Sequence, residues 1–160
     1  MRKTSASLLA SSAVALAQAS GRRYSPTPDH PRTAAWYAKL RKPSATPPGP
    51  VFGAVWTGLD GLLAYSGTRL LAAEPSLQRT VALGFWGLNV LGVAGFPWVL
   101  FGRRQLGAAT GVTVAMLATS GGAVATAAGV DRRAAWAGVP LAGWVLFASF
   151  LQEEVWRRNR

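Results

Sequence analysis

Long apolar runs separated by short polar breaks divide the chain into five segments. They cover approximately residues 5–20, 51–71, 80–101, 106–130 and 134–156. A helix needs about 20 apolar residues to cross the hydrocarbon core of a bilayer, and over such lengths only helices satisfy their own backbone hydrogen bonds in lipid. The pattern therefore predicts an all-α membrane protein, a bundle of five transmembrane helices forming a single domain over residues 1–160.

The longest polar break, residues 21–50, precedes the second apolar segment. It contains Lys42-Pro43 and Pro47-Pro48, and proline both fixes its own backbone angle and disfavours helix at the residue before it. We expect residues 36–50 to form a stiff, non-helical connector.

Composition supports a membrane environment. Half of the 160 residues are hydrophobic and only 14% are charged, whereas soluble domains carry about a quarter charged residues. The net charge is +11, but the basic residues occur as short clusters between apolar runs. A nucleic-acid binder would gather them on one helix or face, so we expect membrane lipid and not nucleic acid as a partner.

The distribution of Lys and Arg predicts an orientation. With five spans, the 21–48 loop, the turn at 103–104 and the carboxyl-terminal tail hold eleven basic residues, and the opposite side holds six. The positive-inside bias then places the amino terminus outside and the carboxyl terminus in the cytoplasm, with the first segment retained. The alternative is a cleaved secretory signal, because a basic start and a short apolar core precede Ala17-Gln18-Ala19.

The sequence contains few residues that could bind a metal ion or carry out thiol chemistry. There is no cysteine, and the single histidine, His30, lies in a proline-rich stretch. Disulfides and thiolate sites are thereby excluded, and His30 is interpreted as a solvated loop residue more readily than as a haem ligand. We predict no metal site and no bound cofactor.

Two large aromatic residues and one acidic residue lie at helical spacing on the second segment. Phe52, Trp56 and Asp60 are separated by four residues each and so share one helix face. Trp36, just upstream, suits the headgroup zone. Such a surface could accept a flat, anionic, aromatic ligand; interfacial anchoring with ordinary helix packing is the alternative.

Asp60 lies near the centre of its segment, where an aspartate costs roughly 2.5–3.5 kcal/mol on an insertion scale. It must therefore face the bundle interior. We consider two roles for it, a group at the floor of a ligand pocket and a structural acid bonded to Ser, Thr or Asn89 of a neighbouring helix.

Small residues on two segments offer faces for close helix contact. Gly107 and Gly111 form a GxxxG pattern, which permits close approach in lipid. A second candidate face is formed by Gly84, Gly87, Leu91 and Gly95. Either face could serve a homodimer or pack inside a tight monomeric bundle.

Several motifs together resemble the TspO/translocator protein family. The specific part is Trp36-Tyr37-x-x-Leu40-x-Lys42-Pro43, then Pro47-Pro48, then Val51-Phe52-x-x-Val55-Trp56-Thr57-x-Leu59. Val139-Pro140, Trp144, Phe147-Ala148-Ser149 and Val155-Trp156-Arg157 are similar to the family's fifth helix. The resemblance extends over about residues 20–158.

The resemblance implies a five-helix, TspO-like bundle whose first loop closes a ligand pocket as a lid. It implies binding of porphyrin or haem-type tetrapyrroles, or of sterol-like compounds, and commonly a homodimer. It also implies an enzymatic alternative, light- and oxygen-dependent porphyrin breakdown at the two tryptophans that match Trp56 and Trp144. A third hypothesis is a membrane scaffold or signalling protein without small-molecule turnover.

By motif position, the resemblance assigns a set of ligand-binding residues. They are Trp36, Phe52, Trp56, Asp60, Leu141, Trp144 and Phe147. The chain departs from the family pattern in that set, since Asp60 and Leu141 stand where the family has tyrosines. A lid tryptophan is also replaced, by Ala45. These departures from the family pattern affect the expected ligand more than they affect the expected fold.

Overall fold

The computed structural model describes residues 2–160 and contains, over that range, six α-helices and no strand. They are α1 (Lys3–Arg22), α2 (Pro31–Lys39), α3 (Gly49–Ala72), α4 (Leu77–Pro97), α5 (Leu106–Ala128) and α6 (Arg132–Arg158). A π-helical turn, Trp98–Gly102, continues α4. The predicted all-α class is confirmed.

Within residues 2–160, three helical stretches are long and apolar enough to cross a membrane: Leu77–Gly102, Leu106–Ala128 and Arg132–Arg158. Helices α1 and α3 have 20 and 24 residues, but they fall below the same standard. Serines in α1, and glycines with Asp60 and Arg69 in α3, lower their hydropathy.

Helix α2 corrects the prediction of a non-helical connector beginning at residue 36. Pro31 occupies the start of α2, where proline's missing N–H and fixed φ favour a helix. The helix then ends at Lys39, shortly before Lys42-Pro43. The prolines therefore delimit a helix within the first loop, and of residues 36–50 only 40–48 lie outside a helix, with a turn at 44–45.

The five long helices pack in a closed ring. α1 packs on α3 and α4, α3 on α6, α6 on α5, and α5 on α4. The core between them comprises two apolar clusters. The central and larger one is formed by Val14, Ala17, Leu59, Leu63, Val93, Met116, Leu141 and Val145, and the smaller one by Leu70, Ala82, Ala127, Ala134 and Ala135. Helix α1 is an integral part of this ring, because it buries a stripe of small residues: Ala6, Ala10, Val14, Ala17 and Gly21.

Gly21 marks the closest approach of α1 to α4. Pro97 has no N–H to donate to the carbonyl of Val93, four residues earlier. A Cβ on Gly21 would lie 2.9 Å from that carbonyl oxygen and 3.0 Å from Cγ of Pro97. Glycine is required at this contact because a side chain would push the two helices apart.

The first loop and the carboxyl terminus meet at one end of the bundle, called here the loop end. Asn159 accepts a hydrogen bond from the Arg41 amide and donates one to the Arg41 carbonyl, both at 2.9 Å. The ring of Tyr37 packs edge-on against Phe101, with centroids 5.3 Å apart. These contacts hold α2 and its flanks across the end of α6 and the turn after α4.

Asp131 organises the opposite end. Its Oδ1 accepts hydrogen bonds from the amides of Arg133 and Ala134, at 2.8 and 3.0 Å, and so caps α6. Its Oδ2 accepts from Nε of Arg69 at 2.8 Å. Desolvation by burial acts to raise the pKa of Asp131, but the hydrogen bonds from Arg69 and Ala134 outweigh it, and the net pKa lies below the usual value.

We expect Asp131→Asn to lower Tm at pH 7 by about 2–4 °C, corresponding to about 1 kcal/mol. Because asparagine still caps a helix, the loss in Tm measures the contribution of the negative charge of Asp131. A depressed folded pKa gives stability above the unfolded pKa of about 3.9 that is lost as pH falls through the folded pKa. The Tm difference should therefore shrink below about pH 4. A difference that is constant from pH 7 to 3, or equal in the exposed control Asp29→Asn, would contradict this role.

Candidate functional site

Three aromatic side chains from α3 and α6 form one cluster, called here the aromatic site. The ring of Trp144 lies 5.5 Å from Phe52 at 74° and 5.6 Å from Phe147 at 55°. Such edge-on and tilted geometries match the quadrupoles of aromatic rings. Phe52 lies in the first turn of α3, just after the first loop.

The indole nitrogen Nε1 of Trp144 is buried without a hydrogen-bond partner among residues 2–160. Among residues 2–160, no acceptor lies within bonding distance of its Nε1. By contrast, Nε1 of Trp86 donates to the Leu63 carbonyl at 2.9 Å. A buried donor without an acceptor costs about 1–3 kcal/mol, so Trp144 holds a donor that an incoming acceptor would satisfy.

The other aromatic candidates lie in two different places. Trp56 packs, as Trp144 does, against the central core cluster that contains Leu141. Leu141 itself is buried. Trp36 lies apart on α2, where the Arg104 guanidinium lies 5.3 Å from its ring centroid. Arg104 has a φ of 55°, a left-handed conformation uncommon for arginine.

Asp60 does not join the aromatic site. A four-residue step on an α-helix advances 400°, so Phe52 and Asp60, two steps apart, point about 80° away from each other. Asp60 instead lines a groove of about 450 Å³ between α1 and α3, called here the α1–α3 groove. Its walls comprise Ser11, Val14, Ala15, Gln18, Ala19, Arg22, Asp60 and Ala64.

In the described part of the chain, Oδ1 of Asp60 does not form the structural bond that was considered, to Asn89 or to a neighbouring hydroxyl. Among residues 2–160, Oδ1 of Asp60 is buried and has no hydrogen-bond partner. Asn89 accepts from the Ser120 hydroxyl at 2.7 Å and donates to the Phe85 carbonyl at 2.9 Å. Asn89 therefore links α4 to α5, and Asp60 lines the groove without a bond to it.

Cations stack on aromatic rings at the loop end. The pairs are Lys42 on Tyr37, Arg103 on Trp98, Arg104 on Trp36 and Arg160 on Trp156, with separations of 4.5–5.3 Å. Lys42 also donates to the carbonyl of Tyr37 at 2.6 Å, and burial lowers its pKa. This end of the bundle is therefore cationic and aromatic.

Over the part of the chain that the structure describes, no group of three or more His, Asp or Glu side chains could hold a metal ion. His30 is occupied within the first loop, where its Nδ1 lies 3.1 Å from the Thr27 hydroxyl and 3.1 Å from the Ser25 carbonyl.

Gln18 and Arg104 were missed as candidate site residues at the level of sequence. A signal for Gln18 exists, because Ser11, Gln18 and Arg22 are spaced by seven and four residues and follow one stripe of α1. That stripe runs beside the buried one. No sequence pattern indicates the left-handed backbone that places Arg104 over Trp36.

Comparison with known proteins yields one family and several relatives. The TspO/MBR family profile matches residues 10–157. The human translocator protein is 35% identical over 130 residues, covering 78% of this chain and 75% of the human protein. Protein CrtK of Rhodobacter capsulatus is 31% identical over 149 residues, covering 92% and 88%. Tryptophan-rich protein TspO of Bacillus cereus is 28% identical over 127 residues, covering 78% and 80%.

Proposed function

Since the chain belongs to the TspO/MBR family of membrane proteins, we propose that it binds a porphyrin or haem-type tetrapyrrole, or a similar planar hydrophobic compound, within the bilayer. Such binding would allow the protein to transport the ligand, or to act as a stress sensor that responds to the ligand. The ligand class comes from the resemblance of the 36–59 motif. The site combines Phe52 and Trp56 of that motif with Trp144 and Phe147 of α6.

The observation that carries the proposal is the unpartnered, buried Trp144 N–H between the rings of Phe52 and Phe147. Binding sites are mostly apolar, with a few polar groups that fix orientation. A planar ligand that stacks among these rings and presents an acceptor to Nε1 would satisfy that donor. Trp56, on the same core cluster, is the second ring assigned to the ligand.

The first loop is proposed as the lid of this site. Its contacts with Asn159 and Phe101 tie it across the loop end, and it leads directly into Phe52. Trp36 and Arg104 are proposed as the rim, where a guanidinium on an aromatic face could meet a ligand carboxylate.

We further propose that all five long helices span the membrane, with the amino terminus outside and the first loop and tail in the cytoplasm. The ring packing of α1 and α3 supports their spanning, and the eleven-to-six split of basic residues supports the orientation. Reporter fusions after residue 30 and at the carboxyl end are expected to give the same cytoplasmic signal. Opposite signals, or a mature amino terminus at Ser20, would contradict this topology.

A homodimer through α4 is proposed as well. A Cβ added at Gly84, Gly87 or Gly95 meets nothing within 4 Å, and Leu91 on the same face is 67% exposed. On α5, by contrast, Gly107 already packs against Trp156. Gly87→Leu should shift the protein in mild detergent from dimer to monomer mass by light scattering, whereas Gly111→Leu should not.

Porphyrin titrated into the purified protein, in darkness and in light, separates binding from its alternatives. A binder gives saturable binding and a stable porphyrin absorption band in both conditions. An enzyme gives light- and oxygen-dependent loss of the band, slowed by Trp56→Phe or Trp144→Phe. A scaffold without turnover gives no saturable binding in either condition, which would overturn the proposal.

A further inference from the structure

The α1–α3 groove is separate from the aromatic site, and none of its lining residues belongs to that site. Its α1 wall extends from Ser11 to Arg22, about 16 Å at 1.5 Å per residue. Its α3 wall is formed by Asp60 and Ala64. Most of the lining is apolar, and the described lining residues include no aromatic ring.

The groove contains an acidic side chain, Asp60, without a hydrogen-bond donor or a cation paired to it in the described structure. One carboxyl oxygen, Oδ1, is buried and lacks a donor from residues 2–160. The side chain also lines the groove, and because χ2 of aspartate is broad and two-fold, a half-turn about the Cβ–Cγ bond exchanges the two oxygens, so that either can face the groove. A carboxylate accepts hydrogen bonds only, and burying one without a partner is costly.

The other charged group in the lining does not neutralise Asp60. Arg22 is exposed in the last turn of α1, and it forms no ion pair with Asp60 in the described structure, where Asp131 and Glu154 are the paired acids. Arginine at a helix end extends toward the interface and keeps its charge in a hydrated zone. Gln18, the other long polar residue of the groove, offers a second acceptor through its amide carbonyl.

We propose that the α1–α3 groove binds a lipophilic amine. Its ammonium group is held by Asp60, with the Gln18 carbonyl as a second acceptor, and its apolar chain lies along Val14, Ala15 and Ala64. The acid selects a cationic donor over a neutral or anionic head, because charge-assisted hydrogen bonds are about twice as strong as neutral ones. This site does not depend on tetrapyrrole binding at the aromatic site.

The test is photolabelling of the full-length protein in phosphatidylcholine nanodiscs. The probe is hexadecylamine with a diazirine in its chain, and the matched probe is the corresponding hexadecanol. The amine should label peptides covering residues 11–22 and 60–64 about tenfold more strongly than the alcohol. Asp60→Asn should reduce amine labelling to the alcohol's level, and Asp29→Asn, which removes an exposed acid, should leave it unchanged.

A second variant guards against a folding defect in Asp60→Asn. Ala15 is exposed on the groove wall, so Ala15→Phe fills the groove without disturbing the core and should also reduce amine labelling severalfold. Trp144→Phe should have no effect on it, whatever it does to porphyrin. Equal labelling by amine and alcohol, or full amine labelling in either Asp60→Asn or Ala15→Phe, would overturn the proposal.

Discussion

Replacing Trp56 and Trp144 together by phenylalanine is expected to weaken porphyrin binding by about ten- to a hundredfold. Each aromatic contact contributes roughly 0.5–1.5 kcal/mol beyond area burial, and the Trp144 N–H adds a hydrogen bond worth about 0.5–1.5 kcal/mol. Since 1.4 kcal/mol is a factor of ten in Kd, two smaller rings and one lost donor give a change of that size. The measurement is a porphyrin titration of purified protein in the dark.

Trp136→Phe is the matched control for this change. Trp136 is also on α6 but is 69% exposed, so its replacement should leave Kd unchanged. Trp144→Phe alone should account for the larger share of the loss, because it removes both ring area and the donor. If the double variant binds as the original chain does, the ligand lies elsewhere.

Gly67→Ala is expected to destabilise the bundle by about 2–3 kcal/mol, or roughly 5–10 °C in Tm. A Cβ at residue 67 would lie 2.5 Å from Cε2 and Cζ2 of Trp86. The indole cannot simply move away, because its N–H donates to the Leu63 carbonyl. Thermal unfolding in detergent measures the loss.

Gly61→Ala supplies the control within the same helix. A Cβ there meets nothing within 4 Å, and alanine favours a helix over glycine by about 1 kcal/mol. The control should therefore be neutral or slightly stabilising. Equal Tm values for the two variants would show that the close packing of α3 on Trp86 is not a constraint.

Apolar run length predicted the approximate positions of the five long helices, although only three helical stretches within residues 2–160 are long and apolar enough to cross a membrane. Their ends depend on local side chains. Ser76 accepts from the Arg79 amide at 3.1 Å and begins α4 at Leu77, three residues before the predicted segment. Asp131 likewise caps α6, although in the sequence it marked only a break. Helix α2 was missed for two reasons. It has only nine residues, and the prolines around it predicted a non-helical connector.

The candidate site was less accessible from sequence than the fold. The four-residue spacing of Phe52, Trp56 and Asp60 predicted one shared face, but the 40° drift at each step turns the first residue toward α6 and the last toward α1. Pairing Trp144 with Phe52 requires α6 to lie beside α3, a contact between helices distant in the chain. The unpartnered state of Trp144 depends on every neighbour that surrounds it, which no local pattern encodes.

The most direct test of tetrapyrrole binding at the aromatic site is ¹⁹F NMR of the protein labelled with 5-fluorotryptophan. Each resonance is assigned by its loss in a single Trp→Phe variant, and porphyrin is then added in the dark. We expect saturable shifts of the Trp144 and Trp56 resonances, with no shift at exposed Trp136. Saturation that shifts Trp136 while Trp144 and Trp56 stay unchanged would contradict a ligand seated among Phe52, Trp144 and Phe147.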